Sequence, residues 1–296
     1  MTRSIPVGPD ENGRLIARFE GAVTKGVTPR AVALFREIVC DYYSRRRRPF
    51  AWRRTRDPYR ILVSEIMLQQ TQTGRVKEKY EEFITAFPDF NALAEAPLQK
   101  VLAVWQGMGY NRRAVALKEL ARAVVDRFGG KLPPSPEELM TLPGIGRYTA
   151  SALAAFAFNK PSVLIETNIR TVFIHFFFHD RSGITDKEIL PLVEKTLDRR
   201  HPRDWYNALM DYGVMLKTLH PNPGRKSAHY KKQSPFMGSN RQLRGALLKA
   251  LVAAPGLSEQ KLLRLISAPP EKIKAALVEL REEGFIKKRG RTFLVS

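Results

Sequence analysis

Two carboxylates and a glycine turn carry the residue types that can do chemistry in this chain. Glu65 is a lone acid in Ile61-Leu62-Val63-Ser64-Glu65-Ile66-Met67-Leu68. Glu166 closes the apolar run Val163-Leu164-Ile165 and is followed by Thr167-Asn168-Ile169-Arg170. Between them lies Leu142-Pro143-Gly144-Ile145-Gly146-Arg147-Tyr148-Thr149, then the small-residue run Ala150 to Ala157. Gly144 and Gly146 are free to take positive φ and to leave backbone N–H groups uncovered. A helix beginning at Arg147 adds the N–H groups of its first turn, which bind phosphate without reading sequence. A lone Gly-x-Gly is most often an ordinary turn. Here the flanking Leu-Pro, the small-residue helix and the charge of the chain set it apart.

That charge is large. Fifty Lys and Arg stand against 29 Asp and Glu, a formal net charge of +21. Such an excess points to a polyanionic partner, nucleic acid first and an anionic membrane surface second. The 296 residues, 44% of them apolar, suffice for one large domain or two ordinary ones. The single cysteine, Cys40, rules out an internal disulfide and thiolate or iron–sulfur ligation by this chain alone. No metal site is expected. Cys40 falls in an apolar helical pattern (Leu34, Phe35, Ile38, Val39) and reads as a buried thiol. Met1 to Arg18 lack the apolar core of a signal peptide, and no run reaches membrane-spanning length. The expectation is an intracellular protein, cytoplasmic and associated with the nucleoid.

Helices must position these groups. Residues 1–28 read as a partly ordered arm. Helical spacing then recurs over 30–44, 58–71, 74–86, 90–95, 97–104, 111–127, 135–140, 147–158, 167–178, 186–198 and 203–217. Asp57-Pro58 marks one start. Arg45 to Arg48, followed by Trp52, read as either a solvated patch or a phosphate contact. The run Phe173, Phe176, Phe177, Phe178 reads as core. Strand signals are nearly absent before residue 220, so the fold class is mainly α. Residues 220–240 read as a basic linker, and 241–296 as three helices (241–253, 258–266, 270–283) with a β-hairpin around Arg289-Gly290. That arrangement is winged-helix-like.

The glycine turn, from Leu142 to Ala150, resembles the helix-hairpin-helix of the endonuclease III superfamily of DNA glycosylases. Ser64-Glu65-Ile66-Met67-Leu68-Gln69-Gln70-Thr71-Gln72 resembles the signature of the MutY-type adenine glycosylases. Trp105-Gln106-Gly107-Met108-Gly109-Tyr110 and Asn207-Ala208-Leu209-Met210-Asp211-Tyr212-Gly213 are similar to further blocks of that family. The resemblance implies a glycosylase domain of two helical subdomains over 29–219, then the linker (220–240) and the winged-helix-like domain (241–296).

It also implies roles. Cleaving an N-glycosidic bond builds positive charge on the sugar and negative charge on the leaving base, which is first flipped from the stack. One acid protonates the base and another carboxylate stabilises the cation. By resemblance Glu65 is that acid, and its apolar neighbours suit a carboxyl kept protonated near neutral pH. Glu166 stands where the family has a catalytic aspartate, with Asn168 in support. Gln70 matches a wedge into the opened duplex, and Tyr110 a probe beside the mispaired base. Tyr148 stands where bifunctional relatives carry a lyase lysine, which implies a glycosylase with no Schiff-base step. Gly144, Gly146, Arg147 and Thr149 match the phosphate anchor.

Two departures shape the expectation. The cysteines of the family's [4Fe–4S] cluster are missing, with Lys217 at the first position and Pro221-Asn222-Pro223-Gly224 beyond it. No cofactor is therefore expected. The family's C-terminal lesion-reading domain is replaced by the winged-helix-like segment, whose Lys272, Lys274, Lys287, Lys288, Arg289 and Arg291 either add duplex affinity or form a plain structural wing. The expected activity is monofunctional removal of adenine opposite guanine or 8-oxoguanine, by a monomer acting on double-stranded DNA. Alternatives are a thymine/uracil mismatch glycosylase and a non-catalytic damage-binding protein.

Overall fold

The structure is a computed structural model that describes residues 5–8, 11–232 and 235–296. Met1 to Ser4, Pro9 and Asp10 of the expected arm, and Gln233 and Ser234 of the expected linker, lie outside the described residues. The chain divides into two compact units. The first joins Met1–Arg56 to Arg147–Lys232, and the second joins Asp57–Gly146 to Gln233–Ser296.

In chain order, the first unit begins with α1 (Gly13–Val23), α2 (Pro29–Arg46) and α3 (Ala51–Arg54). The second unit takes α4 (Pro58–Leu68), α5 (Thr73–Ala86), α6 (Phe90–Glu95), α7 (Leu98–Val104), α8 (Arg112–Phe128) and α9 (Pro136–Leu139). The first resumes with α10 (Arg147–Phe156), α11 (Thr167–Phe177), α12 (Asp186–Thr196) and α13 (Pro202–Leu219). The second closes with α14 (Asn240–Ala253), α15 (Glu259–Leu265) and α16 (Pro270–Glu282), and with three short strands, β1 (Leu257–Ser258), β2 (Ile286–Arg289) and β3 (Thr292–Val295). The mainly helical fold and the helix limits follow the sequence pattern closely. Two helices, α1 and α3, were not expected.

The first unit is built on aromatic packing. Phe19 of α1 meets Phe176 edge-on at 5.6 Å, and Phe35 of α2 meets Trp205 of α13 at 5.8 Å. The phenylalanine run of α11 is core, with Phe173 and Phe176 fully buried. Beneath it sits a charge cluster. The Asp211 carboxylate, 1% exposed, takes Arg48 Nε at 2.6 Å and Arg53 at 2.8 Å, plus the Arg48 N–H at 2.9 Å. Arg48 is thereby spent on an internal pair, and Trp52 is buried, stacked on Phe50 at 4.7 Å. Only the exposed part of the arginine run, such as Arg45 beside Asp41, fits the solvated reading.

Two further expectations change. Cys40 is exposed, because the apolar stripe of α2 passes through Leu34, Phe35, Ile38 and Val39 and leaves residue 40 on the outer face. Part of the expected linker is packed: Ile184 bridges to Ser227, and Gly224 lies so close to Thr171 that a Cβ would come within 2.8 Å of its Oγ1. Replacing Asp211 by Ala strands two guanidinium groups, one of them Arg53 at 10% exposure. The expected cost is about 3 kcal/mol, or roughly 10 °C in the midpoint of thermal unfolding. A loss under about 1 kcal/mol in urea titrations would contradict this reading of the cluster.

In the second unit, α4 is buried nearly all round, from Tyr59 to Met67 except Arg60. Asp57 caps it, accepting the Tyr59 N–H at 2.9 Å, and Tyr59 in turn donates to Phe87 O at 2.6 Å. The C-terminal elements pack here too: Gln99 of α7 donates to Val252 O of α14 at 3.0 Å. Arg244 of α14 forks onto Glu283 at 2.6 and 2.7 Å. The hairpin β2–β3 forms as expected, and β1 adds a third antiparallel strand in the order β1-β3-β2, with Leu257 opposite Phe293. The six basic residues singled out there are all exposed.

Candidate active site

The assigned residues divide between the two units. Glu65, Gln70, Tyr110, Gly144 and Gly146 belong to the second; Arg147, Tyr148, Thr149, Glu166 and Asn168 belong to the first.

Glu65 sits on the wholly helical part of α4 and is only 9% exposed, between the buried Ser64 and Ile66 and one turn from the buried Ile61 and Leu62. A carboxyl so enclosed is costly to keep unless it has work to do or is paired. The helix that carries it ends at Leu68, and Gln70 follows in the left-handed region at φ 52°. The turn before α8 ends the same way, with Tyr110 at φ 47°. Both are rare for non-glycine residues and need support from their surroundings.

Arg113 supplies it, and sequence reasoning missed it. Its guanidinium gathers the carbonyls of Ile66 at 2.9 Å, Met67 at 3.0 Å and Gln69, which α4 leaves unsatisfied at its end. It also reaches Thr71 Oγ1 at 2.9 Å and the carbonyls of Met108 and Gly109 at 3.2 Å. One half-buried cation thus fixes the Gln70 turn and the Tyr110 turn together. Burial lowers its pKa to about 10, so it stays charged at neutral pH. Arg241 of α14 approaches Tyr110 from the other side, donating to its hydroxyl with the guanidinium 5.0 Å from the ring centre. Gln70, Tyr110, Arg113 and Arg241 share the wall of a pocket of about 610 Å³. Nothing local in the sequence marks Arg113 or Arg241, since Arg113 meets the end of α4 across 42 to 47 residues and Arg241 meets Tyr110 across 131.

In the first unit Glu166 is the N-cap of α11. Its Oε1 accepts the N–H groups of Asn168 at 2.7 Å and Ile169 at 2.9 Å, and its Oε2 accepts Asn168 Nδ2 at 3.2 Å. Donors at a helix start suit a carboxylate anion. The chain of bonds continues: Lys217 Nζ donates to Asn168 Oδ1 at 2.7 Å. Burial pulls the Lys217 pKa below the usual lysine value, and the Glu166 charge opposes that. Lys217 thus bonds the amide that in turn bonds Glu166. Gly213 of α13 completes the arrangement, because a Cβ there would lie 2.3 Å from Asn168 O. The close α11–α13 contact requires glycine.

The boundary between the units falls inside the glycine turn, after Gly146. Gly144 has φ 77° and Ala116 lies 3.6 Å from where its Cβ would be. Gly146 does not take positive φ, so only one of the two glycines is needed for backbone conformation. Leu142 and Ile145 are buried while Pro143, Gly144, Gly146 and Arg147 are exposed, which turns the backbone of the hairpin outward. The first N–H groups of α10 have no partner inside the helix and suit an anion. Thr149 is 4% exposed, so its hydroxyl is not at the surface; Tyr148 is half-buried in the first turn. The small residues after it, Ala150 to Ala155, are all buried.

Cysteine ligation of an iron–sulfur cluster does not fit this chain, whose one thiol, Cys40, lies on α2.

Comparison with known proteins agrees with this geometry. Residues 63–199 match the family described as HhH-GPD superfamily base excision DNA repair protein. The chain is 34% identical over 196 residues to an adenine DNA glycosylase of Buchnera aphidicola, covering 65% of this chain and 55% of that one. It is 32% identical over 186 residues to a thymine/uracil-DNA glycosylase of Methanothermobacter thermautotrophicus, covering 62% of this chain and 84% of that one. Among solved structures, a thermostable thymine-DNA glycosylase superposes with a TM-score of 0.58 at 30% identity, over 64% of this chain and 88% of that one. The chain therefore spans about half the length of the Buchnera adenine glycosylase but most of the thymine/uracil enzyme.

Proposed function

The chain belongs to the HhH-GPD superfamily of base excision DNA repair proteins, and from that premise we propose that it is a monofunctional DNA glycosylase releasing adenine mispaired with guanine or 8-oxoguanine. The observation that carries the reading is Glu65, a nearly buried acid in the Ser64–Gln72 block. In this reading Glu65 delivers a proton to the departing adenine. Glu166, held by two backbone N–H groups and Asn168, stabilises the sugar cation. Tyr148 lines the site without a Schiff-base role. Gln70 and Tyr110 hold the opened duplex, and the hairpin from Gly144 through Arg147 to Thr149 grips phosphate by its backbone. Double-stranded DNA is the partner, one chain serves one lesion, and no cofactor takes part in base release. The exposed lysines and arginines of the C-terminal segment add affinity that falls as salt rises.

A second reading, removal of thymine or uracil from mismatches, is favoured by the 84% coverage of the thymine/uracil relative and by Tyr148. Single-turnover cleavage of duplexes carrying A:8-oxoG, A:G, T:G and U:G pairs separates the two. We expect the adenine duplexes to react at least about 100-fold faster, a spread of about 3 kcal/mol in transition-state stabilisation. Faster release from T:G or U:G would select the second reading, and no release from any of the four would end both.

A further inference from the structure

The first unit holds a cluster that the glycosylase chemistry does not use. Glu11 precedes α1, His175 lies on α11, and His220 follows α13. One ligand atom from each lies within 4.8 Å of the others. The Glu11 side chain is fully buried, that of His175 is 2% exposed and that of His220 is 10% exposed. Glu11 Oε2 pairs with His220 Nε2 at 2.8 Å and accepts the Gly8 N–H at 2.7 Å. Glu11 Oε1 accepts the Tyr212 hydroxyl at 2.6 Å.

His175 is the telling member. Its Nε2 is buried and has no hydrogen-bond partner among the described residues. It stands 3.7 Å from Glu11 Oε1, too far for a hydrogen bond. A buried ring nitrogen left without a partner carries a desolvation penalty that a core does not keep for nothing. In the tautomer that carries its proton on Nδ1, Nε2 offers a lone pair beside the carboxylate, and a cation would satisfy both. Tyr212, His220 and Gly8 bond to the Glu11 carboxylate and hold it in place, with Oε2 against His220 and Oε1 near His175.

We propose that Glu11, His175 and His220 form a divalent transition-metal site, for Zn²⁺ in the first instance, that ties the residues ahead of α1 to α11 and α13. Two imidazoles and one carboxylate are a borderline-soft donor set that suits zinc, rather than the all-oxygen set of calcium or magnesium. Zinc bonds of 2.0–2.2 Å in a tetrahedron place ligand atoms about 3.4 Å apart. The Glu11 Oε2–His220 Nε2 pair opens by roughly 0.6 Å to reach that spacing. His220 presents Nε2 as a lone pair once its proton leaves or moves to Nδ1. A water enters the fourth position on the side of His220, the more exposed ring. The Tyr212 phenol, whose pKa burial pushes far up, stays protonated and keeps its bond to Glu11. Such a site is a staple, since it joins residues up to 209 apart in sequence. It also braces α11, whose first turn bears Glu166.

Isothermal titration of the full chain, stripped by chelator, with zinc chloride tests this without DNA, so its failure leaves the base-release reading untouched. One zinc per chain is expected. At 100-fold excess over the dissociation constant the unfolding midpoint rises by about 5–10 °C. Glu11→Gln, which keeps the side chain's size and an acceptor for one of Tyr212 and Gly8, and His220→Gln each weaken binding by about 100-fold or more. Cobalt(II) in the wild-type chain serves as a second readout, giving the intense visible bands of a tetrahedral N/O site. Absence of zinc binding, binding unchanged in both variants, or a cobalt spectrum like that of the hydrated ion overturns the proposal.

Discussion

Glu65→Gln is expected to lower single-turnover base release by about 10²–10⁴-fold while leaving the fold and duplex binding intact. The substitution is isosteric and removes only the transferable proton. The buried side chain keeps its volume inside α4, so packing against neighbours such as Leu62 and Ile66 is unchanged. An amide cannot donate a proton to a departing base and then hold the negative charge, whatever the pH. The effect therefore lies in the chemical step, not in affinity. A variant that loses stability by more than about 2 kcal/mol would instead mark Glu65 as a structural partner. A variant of wild-type rate would remove it from the mechanism.

Gly213→Ala has the second large effect, and its sign is diagnostic. Alanine in a helix interior ordinarily stabilises by about 0.5–1 kcal/mol over glycine. At Gly213 the new methyl would stand 2.3 Å from Asn168 O and 2.8 Å from its carbonyl carbon. Those are backbone atoms of α11, so no rotamer change relieves the overlap, and α13 must shift from α11 by about an ångström. The expected cost is about 1–3 kcal/mol of stability. The same shift moves Asn168 and Glu166, and misplacement of that size near a reacting group costs about 100-fold in rate. Gly74 of α5 and Gly245 of α14 are the controls, because no atom lies within 4 Å of a Cβ at either. Alanine at those two positions should stabilise, as measured by urea titration. If Gly213→Ala stabilises as they do, the close contact described between α11 and α13 is wrong.

What could be read from the sequence was what local rules govern. Asp57-Pro58 announced the start of α4 by capping. Glu65 and the hairpin stood out because a lone acid or a glycine pair is visible against its immediate neighbours. What escaped were groups whose meaning depends on distant partners. Arg48 read as part of a solvated patch or a phosphate contact, and nothing near it pointed to Asp211, about 160 residues away, which pairs with it and with Arg53. Arg113 looked like one more basic residue in a basic chain, yet it closes two left-handed turns. Lys217 looked like the mark of a lost ligand, and its bond to Asn168 gives it a place in the Glu166 network. Glu11, His175 and His220 lie on three separate elements, so no spacing rule could collect them. The grouping of 233–296 with 57–146 has the same cause: it rests on packing such as α14 on α7, to which hydrophobic periodicity is blind.

The central claim is hydrolytic release of adenine by a chain with no Schiff-base step. The direct measurement incubates excess protein with an A:8-oxoG duplex, identifies the free base by chromatography, and runs the strand on a gel before and after alkali. The account predicts free adenine and a strand that is intact until alkali cuts it at the abasic site, with no adduct trapped by borohydride. A duplex that yields no adenine, or a strand already cut and trapped as a covalent adduct, would contradict it.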